Sequence, residues 1–557
     1  MKTLVLAALR SSLIFLVPTV TYAISAQWDV DPISGDWNTA ANWTPNGVPN
    51  GPAGTATFGL SNTTDVSISQ DTKVNGITFI AAATNPYSIA VSAGRTLTLS
   101  GAGITNNSGV THSLATVAGG ELRFTNNATA GSNVSISNAG GTTNFFNRST
   151  AGSAGIQNFI GGTGDGGTMN FFDHSNAGTA FIEYTDGATN FFDRSSAGNA
   201  DFQTSEGGAH IIFNDHSTAD NALIGVSDNS LLQFGDNSTA ANAFIGSNGV
   251  VEFIGSSTAG NATINNIGFL AFDGNSRGGT AQIDLASDSL VLFVFGILDI
   301  SAHNAPGVTI GSLADDLADP DLPTAVFLGA NNLTVGSNNL STTFGGVIQG
   351  VGGSLTKIGT GRLILAGAST YTGDTNVNRG VLQVDGSITS NTFVNRAGTL
   401  AGRGTINANL TNNGRVSPGS AGTPGMLSVT GNFTQANYAD LMIQIANTSD
   451  FGVLNVLGTA NLAGRLDAEL LNGFLPAVGD SFTFLTAGSL NGTLFMFNRN
   501  IDNVAEHWEI SYFPTFAVLT VAAGNVSVPD EASTLLLLML GLSALLMCRR
   551  HSVCKQT

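Results

Sequence analysis

The stretch that decides the fold is Phe172-Asp173-His174-Ser175-Asn176-Ala177-Gly178-Thr179-Ala180-Phe181-Ile182, and it returns as Phe192-Asp193-Arg194-Ser195-Ser196-Ala197-Gly198-Asn199-Ala200-Asp201-Phe202. Its leading phenylalanine recurs at nearly regular intervals through residues 120–285: Phe124, Phe146, Phe172, Phe192, Phe213, Phe234, Phe253 and Phe272. A fixed period of about 20 residues marks a protein built from stacked repeats.

The chemistry of the repeat selects one architecture. Each unit has two short apolar stretches separated by Ser, Thr, Ala, Gly and Asn, without the ladder of a leucine-rich repeat. We therefore predict an all-β fold, a parallel β-helix (β-solenoid) with coils of about 20 residues whose strands pair between coils at about 4.8 Å. The recurrent phenylalanines should stack in the core, with Ala and Gly at the tight corners.

The position after the leading phenylalanine is acidic or amidic in five coils: Asn147, Asp173, Asp193, Asn214 and Asp273. Repeated carboxylates raise calcium binding as one interpretation. Gly235 and Ile254 interrupt the series, so capping of turns by side-chain to backbone hydrogen bonds is favoured. We predict no metal site and no cofactor.

The composition limits the classes of function. The 557 residues include 70 Gly and 33 Phe, and 42% are hydrophobic, so the chain is expected to fold and not to be disordered. The formal charge of −19 argues against nucleic acid or anionic lipid as a partner. Both cysteines, Cys548 and Cys554, lie close to the C-terminus, so the body has no thiol for catalysis or a disulfide.

The N-terminal segment is typical of a secretory signal. Lys2 and Arg10 precede an apolar run over residues 12–17, and small residues follow at Ala23 and Ala26. We predict a signal peptide over residues 1–26, and therefore export.

The C-terminal segment has three parts in a fixed order. A Val528-Pro529-Asp530 motif precedes an apolar run from Leu535 to Cys548, and Arg549 and Arg550 follow. This order predicts one hydrophobic helix with a basic stop, although about 14 residues are fewer than the roughly 20 that span a bilayer comfortably.

The same segment resembles the PEP-CTERM exosortase sorting signal, especially its VPD variant, with Glu531-Ala532 where that variant more often has Ser-Gly. The resemblance implies an exosortase-like membrane protease as processing partner and transient membrane insertion of the helix. It assigns the sorting motif to Val528, Pro529, Asp530, Arg549 and Arg550. A permanent single-pass anchor is the alternative.

A second resemblance lies in the run Leu355-Thr356-Lys357-Ile358-Gly359-Thr360-Gly361-Arg362-Leu363-Ile364-Leu365, continued by Tyr371-Thr372-Gly373 and Val381-Leu382-Gln383-Val384. Residues 353–384 resemble the autotransporter-associated β-strand repeat. Their alternating strands also predict coils of a β-helix directly.

Three of the four tryptophans, Trp28, Trp37 and Trp43, lie close together ahead of the repeats. Exposed Trp can stack on sugar rings, but a solenoid also needs aromatic bulk to cover its first coil, and we favour this cap.

The predicted organisation follows the chain. It comprises a signal peptide (1–26), an N-terminal cap with the first coils (27–115), the Phe-led solenoid (116–310), a connecting segment (311–340), the autotransporter-associated repeat (341–397), a C-terminal β-region (398–525) and the sorting signal (526–557).

Two classes of function fit this organisation. The first is a non-catalytic cell-surface or extracellular-matrix protein of a Gram-negative-type bacterium, structural or adhesive, associated with exopolysaccharide or with its own copies. The second is a β-helix polysaccharide lyase or hydrolase. His174 with His216, and Arg148 with Arg194, occupy equivalent repeat positions, whereas active sites are singular, so we predict no catalytic residue. The acidic cluster around Asp315 and Asp316 is predicted to be a solvated loop.

Overall fold

The computed structural model describes residues 23–523, apart from 163, 165, 206, 289–293, 316–323, 499 and 502–505. The chain forms two compact units, with unit 1 ending at Asn304 and unit 2 beginning at Ala305. Within the described residues, no helix combines the length and apolar character that crossing a membrane requires. Residues 1–22 of the predicted signal peptide and the whole predicted helix at 535–548 lie outside the described part of the chain.

Unit 1 consists mainly of two parallel sheets whose strands alternate along the chain. The first, the phenylalanine sheet, pairs Trp43–Thr44, Ala26–Trp28, Thr55–Phe58, Thr72–Phe79, Thr96–Asn106, Glu121–Phe124, Thr142–Phe145, Thr168–Phe171, Ala188–Phe191, His210–Phe213, Leu231–Phe234, Val250–Phe253, Phe269–Phe272 and Ile297–Asp299 in that order. The second, the isoleucine sheet, contains Asp65–Ile68, Ser88–Val91, His112–Val117, Val134–Ala139, Gly155–Phe159, Phe181–Tyr184, Asp201–Thr204, Leu223–Val226, Phe244–Ser247, Thr263–Asn266 and Gln282–Leu285. Ala26–Trp28 pairs antiparallel with Trp43–Thr44, and two short strands outside both sheets, Ser287–Asp288 and Val294–Phe295, also pair antiparallel.

One coil shows how the repeat folds. Ala188–Phe191 belongs to the phenylalanine sheet, Ser196 makes a single bridge to the coils on either side, and Asp201–Thr204 belongs to the isoleucine sheet. Alternate strand residues point inwards, so Phe191 and Phe202 are fully buried. Each coil of this type therefore has two strands and a third, one-residue contact. The predicted parallel β-solenoid is confirmed.

The core of unit 1 is a ladder of stacked phenylalanine rings, with centroids 4.5–4.8 Å apart and planes within 10° from coil to coil. Its members are Phe124, Phe145, Phe171, Phe191, Phe213, Phe234, Phe253 and Phe272.

The predicted ladder was wrong in register in three coils. Phe146, Phe172 and Phe192 are half-buried and form a separate outer stack, because each lies one residue after the core position and strand side chains alternate between faces.

The tryptophan cluster covers the first coils. Trp28, Trp37 and Trp43 are fully buried and pack on one another and on Phe58, with ring centroids 4.9–6.0 Å apart. Their indole N–H groups donate to the backbone carbonyls of Thr63, Pro49 and Trp37. Buried rings cannot stack on a sugar, and their packing on Phe58 fits the role of a cap.

Unit 2 also consists largely of parallel coils, but with three strand positions per coil. Its strands are Gly307–Ile310, Ser312–Asp315, Ala325–Phe327, Asn332–Val335, Thr342–Phe344, Val347–Gln349, Ser354–Lys357, Arg362–Leu365, Thr375–Val384, Ser387–Ile388, Thr392–Gly402, Thr405–Ile406, Leu410–Asn412, Arg415–Ser420, Thr423–Pro424, Met426–Val429, Phe433–Gln435, Asp440–Ile445, Val453–Leu462, Arg465–Leu470, Ser481–Gly492, Phe495–Met496, His507–Tyr512 and Phe516–Ala522. At its C-terminal end, Ser481–Gly492, Phe516–Ala522 and His507–Tyr512 pair antiparallel.

Candidate functional site

The predicted sorting motif has no structural description here. Val528, Pro529, Asp530, Arg549 and Arg550 all lie outside the described residues.

The Asp/Asn positions of unit 1 form a hydrogen-bonded ladder at one turn of each coil. The backbone N–H of Asp173 donates to the carboxylate of Asp193 at 2.9 Å, and that of Asp193 donates to the carboxylate of Asp215 at 2.9 Å. These residues have φ of 54–57°, a left-handed conformation that Asp and Asn tolerate better than most residues.

The capping interpretation is confirmed, and its register is corrected from Phe213 onwards. The turn position continues at Asp215, Asp236, Gly255 and Gly274, all with positive φ, and not at Asn214, Gly235, Ile254 and Asp273. In the described part of the chain, no three His, Cys, Asp or Glu residues are placed to hold a metal ion.

The basic residues beside this ladder repeat with it. Arg148, His174, Arg194 and His216 each follow the positive-φ residue of their coil, and the backbone N–H of each donates to the preceding coil at 2.8–2.9 Å. All four are exposed. Such a column offers a repeated surface and no singular catalytic arrangement.

One Ser–His pair bears directly on the enzyme alternative. The Oγ of Ser108 lies 2.8 Å from Nε2 of the buried His112, and Nδ1 of His112 accepts the backbone N–H of Tyr87 at 3.0 Å. A nitrogen that accepts carries no proton, so the neutral ring bears its proton on Nε2 and donates it to Ser108. Burial lowers the pKa of His112 to about 4. This histidine cannot take a proton from Ser108, so the pair is not a nucleophile with its base.

Unit 2 presents a surface of a different kind, which we name the arginine face. Strand register places Arg362, Val381, Thr399, Arg415, Asp440 and Arg465 in one outward column across successive coils. Arg396, at the corner before Thr399, is exposed and belongs to the same face.

Asp440 lies between Arg415 and Arg465 in the arginine face and forms an ion pair with each of them. Arg465 donates to both carboxylate oxygens of Asp440 at 2.5 and 2.8 Å, and Nη2 of Arg415 lies 3.5 Å from the same carboxylate. Asp440 is 13% exposed, whereas the side chains of Arg415 and Arg465 are 42% and 32% exposed. Two guanidiniums therefore share one carboxylate and keep an outward-facing positive charge.

Aromatic rings flank these arginines. The guanidinium carbon of Arg396 lies 5.7 Å from the ring centroid of Tyr438, and that of Arg465 lies 4.7 Å from the centroid of Phe497. Tyr438 is 58% exposed and Phe497 is 56% exposed. A groove of about 280 Å³ is lined by Arg396, Arg415 and Arg465 together with Tyr438 and Asp440. A neighbouring groove of about 290 Å³ is lined by Arg362 and Arg415 and also by Glu469.

The sequence interpretation missed this face, although a signal was present. Residues 354–415 contain six basic and two acidic side chains in a chain of net charge −19, and Arg362, Arg379, Arg396 and Arg415 recur at nearly equal intervals. The negative net charge of the whole chain gave no indication of this local cluster of positive charge.

Asp315 corrects the predicted solvated loop at one position. It ends the strand Ser312–Asp315, and its carboxylate accepts the backbone N–H groups of Gly345 and Gly346 at 2.7–2.9 Å and the hydroxyl of Thr324. Asp315 thus ties two segments of unit 2 together, and Asp316 lies outside the described residues.

Comparison with protein families matches two segments. The model described as the Passenger-associated-transport-repeat matches residues 355–384, and the VPDSG-CTERM motif matches residues 527–552. The chain carries both elements. The two predicted resemblances are therefore confirmed. The passenger-associated transport repeat coincides with the coil that begins at Ser354–Lys357 and reaches the strand Thr375–Val384, beside the arginine face.

The chain is similar over short stretches to two curated proteins. It is 51% identical over 73 residues to the "Extracellular serine protease" of Serratia marcescens, which is 13% of this chain and 7% of that protein. It is 39% identical over 100 residues to the "Adhesin BmaC autotransporter" of Brucella suis biovar 1 (strain 1330), which is 17% of this chain and 3% of that protein. Together with the two matched elements, these similarities indicate an exported surface protein.

Proposed function

We propose that the protein is a non-catalytic, adhesive or structural component of the cell surface that associates with exopolysaccharide, and that its VPDSG-CTERM motif directs its processing by an exosortase-like membrane protease. The observation that carries the proposal is the repetition of exposed polar groups from coil to coil. Asn199, Asn221, Asn242 and Asn261 form one such ladder, with amide-to-amide hydrogen bonds of 3.1–3.3 Å. A surface that presents the same polar groups at regular intervals can contact successive units of a polymer.

A polysaccharide lyase or hydrolase is the second candidate, because β-helices also serve as enzyme scaffolds. Two observations favour the non-catalytic proposal. The charged and polar columns of unit 1 repeat, and Ser108 faces the protonated nitrogen of His112. The similarity to an adhesin also supports the non-catalytic proposal.

The decisive experiment separates binding from cleavage. The purified mature protein is incubated with a panel of neutral and acidic polysaccharides, and retention on the polymer and release of reducing ends are both measured. We expect retention without release. Saturable release of reducing ends would contradict the non-catalytic proposal.

The sorting proposal has its own test. Cells expressing the chain with Val528, Pro529 and Asp530 each changed to Ala are fractionated beside cells expressing the unchanged chain. We expect the variant to accumulate in the membrane fraction with an uncleaved C-terminus. An unchanged distribution and an unchanged length would contradict processing at this motif.

A further inference from the structure

The arginine face of unit 2 carries an inference that deepens the proposed function. We propose that this face binds the carboxylate groups of an acidic polysaccharide, with Arg396 and Arg415 as the principal contacts. The proposal rests on the proposed association with exopolysaccharide and adds the chemical class of the polymer and the place where it binds.

The groove carries an excess of positive charge. Arg396, Arg415 and Arg465 line a groove of about 280 Å³ whose one carboxylate is Asp440. Both carboxylate oxygens of Asp440 already accept hydrogen bonds from Arg465, through Nε and Nη2, and Nη2 of Arg415 lies 3.5 Å from the same carboxylate. Arg396 contacts the ring of Tyr438 and has no carboxylate within ion-pair distance among the described residues. Arg396 and Arg415 therefore keep donors for a carboxylate from outside, which a guanidinium binds with two parallel hydrogen bonds.

The spacing of the face fits an extended chain better than a single small anion. Arg362 and Arg415 are three coil steps apart, and Arg415 and Arg465 are two steps apart. At about 4.8 Å per step, these separations are about 14 Å and about 10 Å. One polymer laid along the column can meet all three arginines.

The exposed aromatic side chains favour a sugar polymer as the ligand. Tyr438 and Phe497 are more than half exposed, and both lie beside an arginine of this face. An exposed ring can pack on the apolar face of a sugar while the neighbouring guanidinium binds its carboxylate. A polyphosphate would use the arginines but would leave the exposed rings of Tyr438 and Phe497 without a function.

A second copy of the chain is the rival occupant, because residues 23–304 contain 22 acidic and six basic side chains. The most regular carboxylates of unit 1 are already occupied, however. Asp193, Asp215 and Asp236 accept backbone N–H groups of neighbouring coils at 2.9–3.2 Å. Acidic polysaccharide is therefore the better match.

The test uses the full mature chain and polygalacturonate as the acidic polymer, with dextran as the neutral polymer. Affinity is measured by calorimetry for the unchanged protein, for Arg396→Gln combined with Arg415→Gln, and for the control pair Arg95→Gln with Arg277→Gln. The control removes the same charge from exposed positions of unit 1. Arg465 is left unchanged, so Asp440 keeps its bidentate partner, and melting curves verify that each variant is folded.

We expect the Arg396/Arg415 variant to bind polygalacturonate at least about tenfold more weakly, the control pair to bind it within about twofold of the unchanged protein, and added salt to weaken binding. Equal binding by the Arg396/Arg415 variant would overturn the site while leaving polysaccharide association intact. Equal affinity of the unchanged protein for inorganic polyphosphate would overturn the assignment to a sugar polymer.

Two further outcomes separate this inference from the function on which it rests. If neither polygalacturonate nor any other tested polysaccharide is retained, the association with exopolysaccharide itself fails. If sedimentation shows salt-sensitive self-association that only the Arg396/Arg415 variant loses, the occupant is a second copy and the polysaccharide assignment is overturned.

Discussion

Units 1 and 2 share the parallel coil, but they differ in what repeats inside it. In unit 1 a phenylalanine ring occupies one core position in eight consecutive coils, fully buried each time. In unit 2 one inward column runs from Val335 to Lys357 to Val377, so a lysine is buried between two valines. Its ammonium donates to the carbonyls of Ile358, Gly359 and Arg379. The coil therefore tolerates a buried polar group where backbone acceptors meet it, and regularity of the core is a property of unit 1 and not of the fold.

The surfaces of the two units differ in the same way. The exposed acidic groups of unit 1 repeat in the turns and are bound to backbone N–H groups, whereas unit 2 gathers arginines on one face with a single shared carboxylate. Because the coils of unit 1 repeat, they present the same groups at equivalent positions. In unit 2 the arginines are gathered on one face, which therefore differs chemically from the rest of the unit.

The largest effect is expected from the phenylalanine ladder. Phe191 stacks on Phe171 and Phe213 with centroids 4.7 and 4.5 Å away. Phe191→Ala should lower the free energy of unfolding of unit 1 by about 3–5 kcal/mol, because it removes a fully buried ring and leaves a cavity. Phe192→Ala, at the half-buried neighbouring position, should cost about 1 kcal/mol or less. Denaturant unfolding measures both variants, and equal losses would contradict the alternation of inward and outward positions.

Lowering the pH should reduce the free energy of unfolding of unit 1 through protonation of His112. Burial lowers the pKa of His112 from 6.5 to about 4, so the unfolded chain binds a proton in this interval that the folded chain does not. The stability that the neutral ring provides is present above pH 6.5 and is lost as the pH falls towards 4. We expect a loss of about 2 kcal/mol between about pH 7 and about pH 4.5 from this residue. The difference between the unfolding curves of the unchanged protein and of His112→Asn at the two pH values measures it, and identical pH dependence would refute the assignment.

Raising the pH should increase the free energy of unfolding of unit 2 through deprotonation of Lys357. Burial lowers the pKa of Lys357 from 10.5 to about 8, so between these values the unfolded chain retains a proton that the folded chain releases. Stability rises with pH across this window, by about 2 kcal/mol between about pH 7 and about pH 9.5. Lys357→Met should abolish the rise, as denaturant unfolding at the two pH values will show. A rise of the same size in the variant would assign it to other groups.

The smallest effect is expected at the turn ladder. Asp193 has a φ of 56° and accepts the backbone N–H of Asp173. Asp193→Asn should change the free energy of unfolding by less than about 0.5 kcal/mol, because Asn147 fills the same role in another coil. Asp193→Ala should cost about 1–2 kcal/mol, because it loses the hydrogen bond and strains the left-handed backbone. Equal thermal stability of the two variants would show that the ladder does not stabilise the turn.

Much of the fold could be predicted from the sequence, because a repeat period and a two-residue alternation are local patterns. The register of the core could not be predicted where two phenylalanines are adjacent, as at Phe145-Phe146 and Phe191-Phe192. Either ring could point inwards, and only pairing with the neighbouring coils selects one. The arginine face was missed for a related reason. Arg396, Arg415 and Arg465 are far apart in the chain, and the stacking of coils brings them to one groove.

The sequence by itself determined that this is an exported, all-β repeat protein with a passenger-associated transport repeat and a VPDSG-CTERM motif, because the period, the glycine-rich turns and the motifs are each contained within a short stretch of chain. The tertiary structure alone decided which phenylalanines form the core, that the tryptophans are buried in a cap, and that arginines from separate coils face one groove. The physical reason is that burial and charge clustering depend on the register between coils. Strand pairing sets that register between residues that are distant along the chain, as it does for Thr142 with Thr168 and for Thr399 with Arg415.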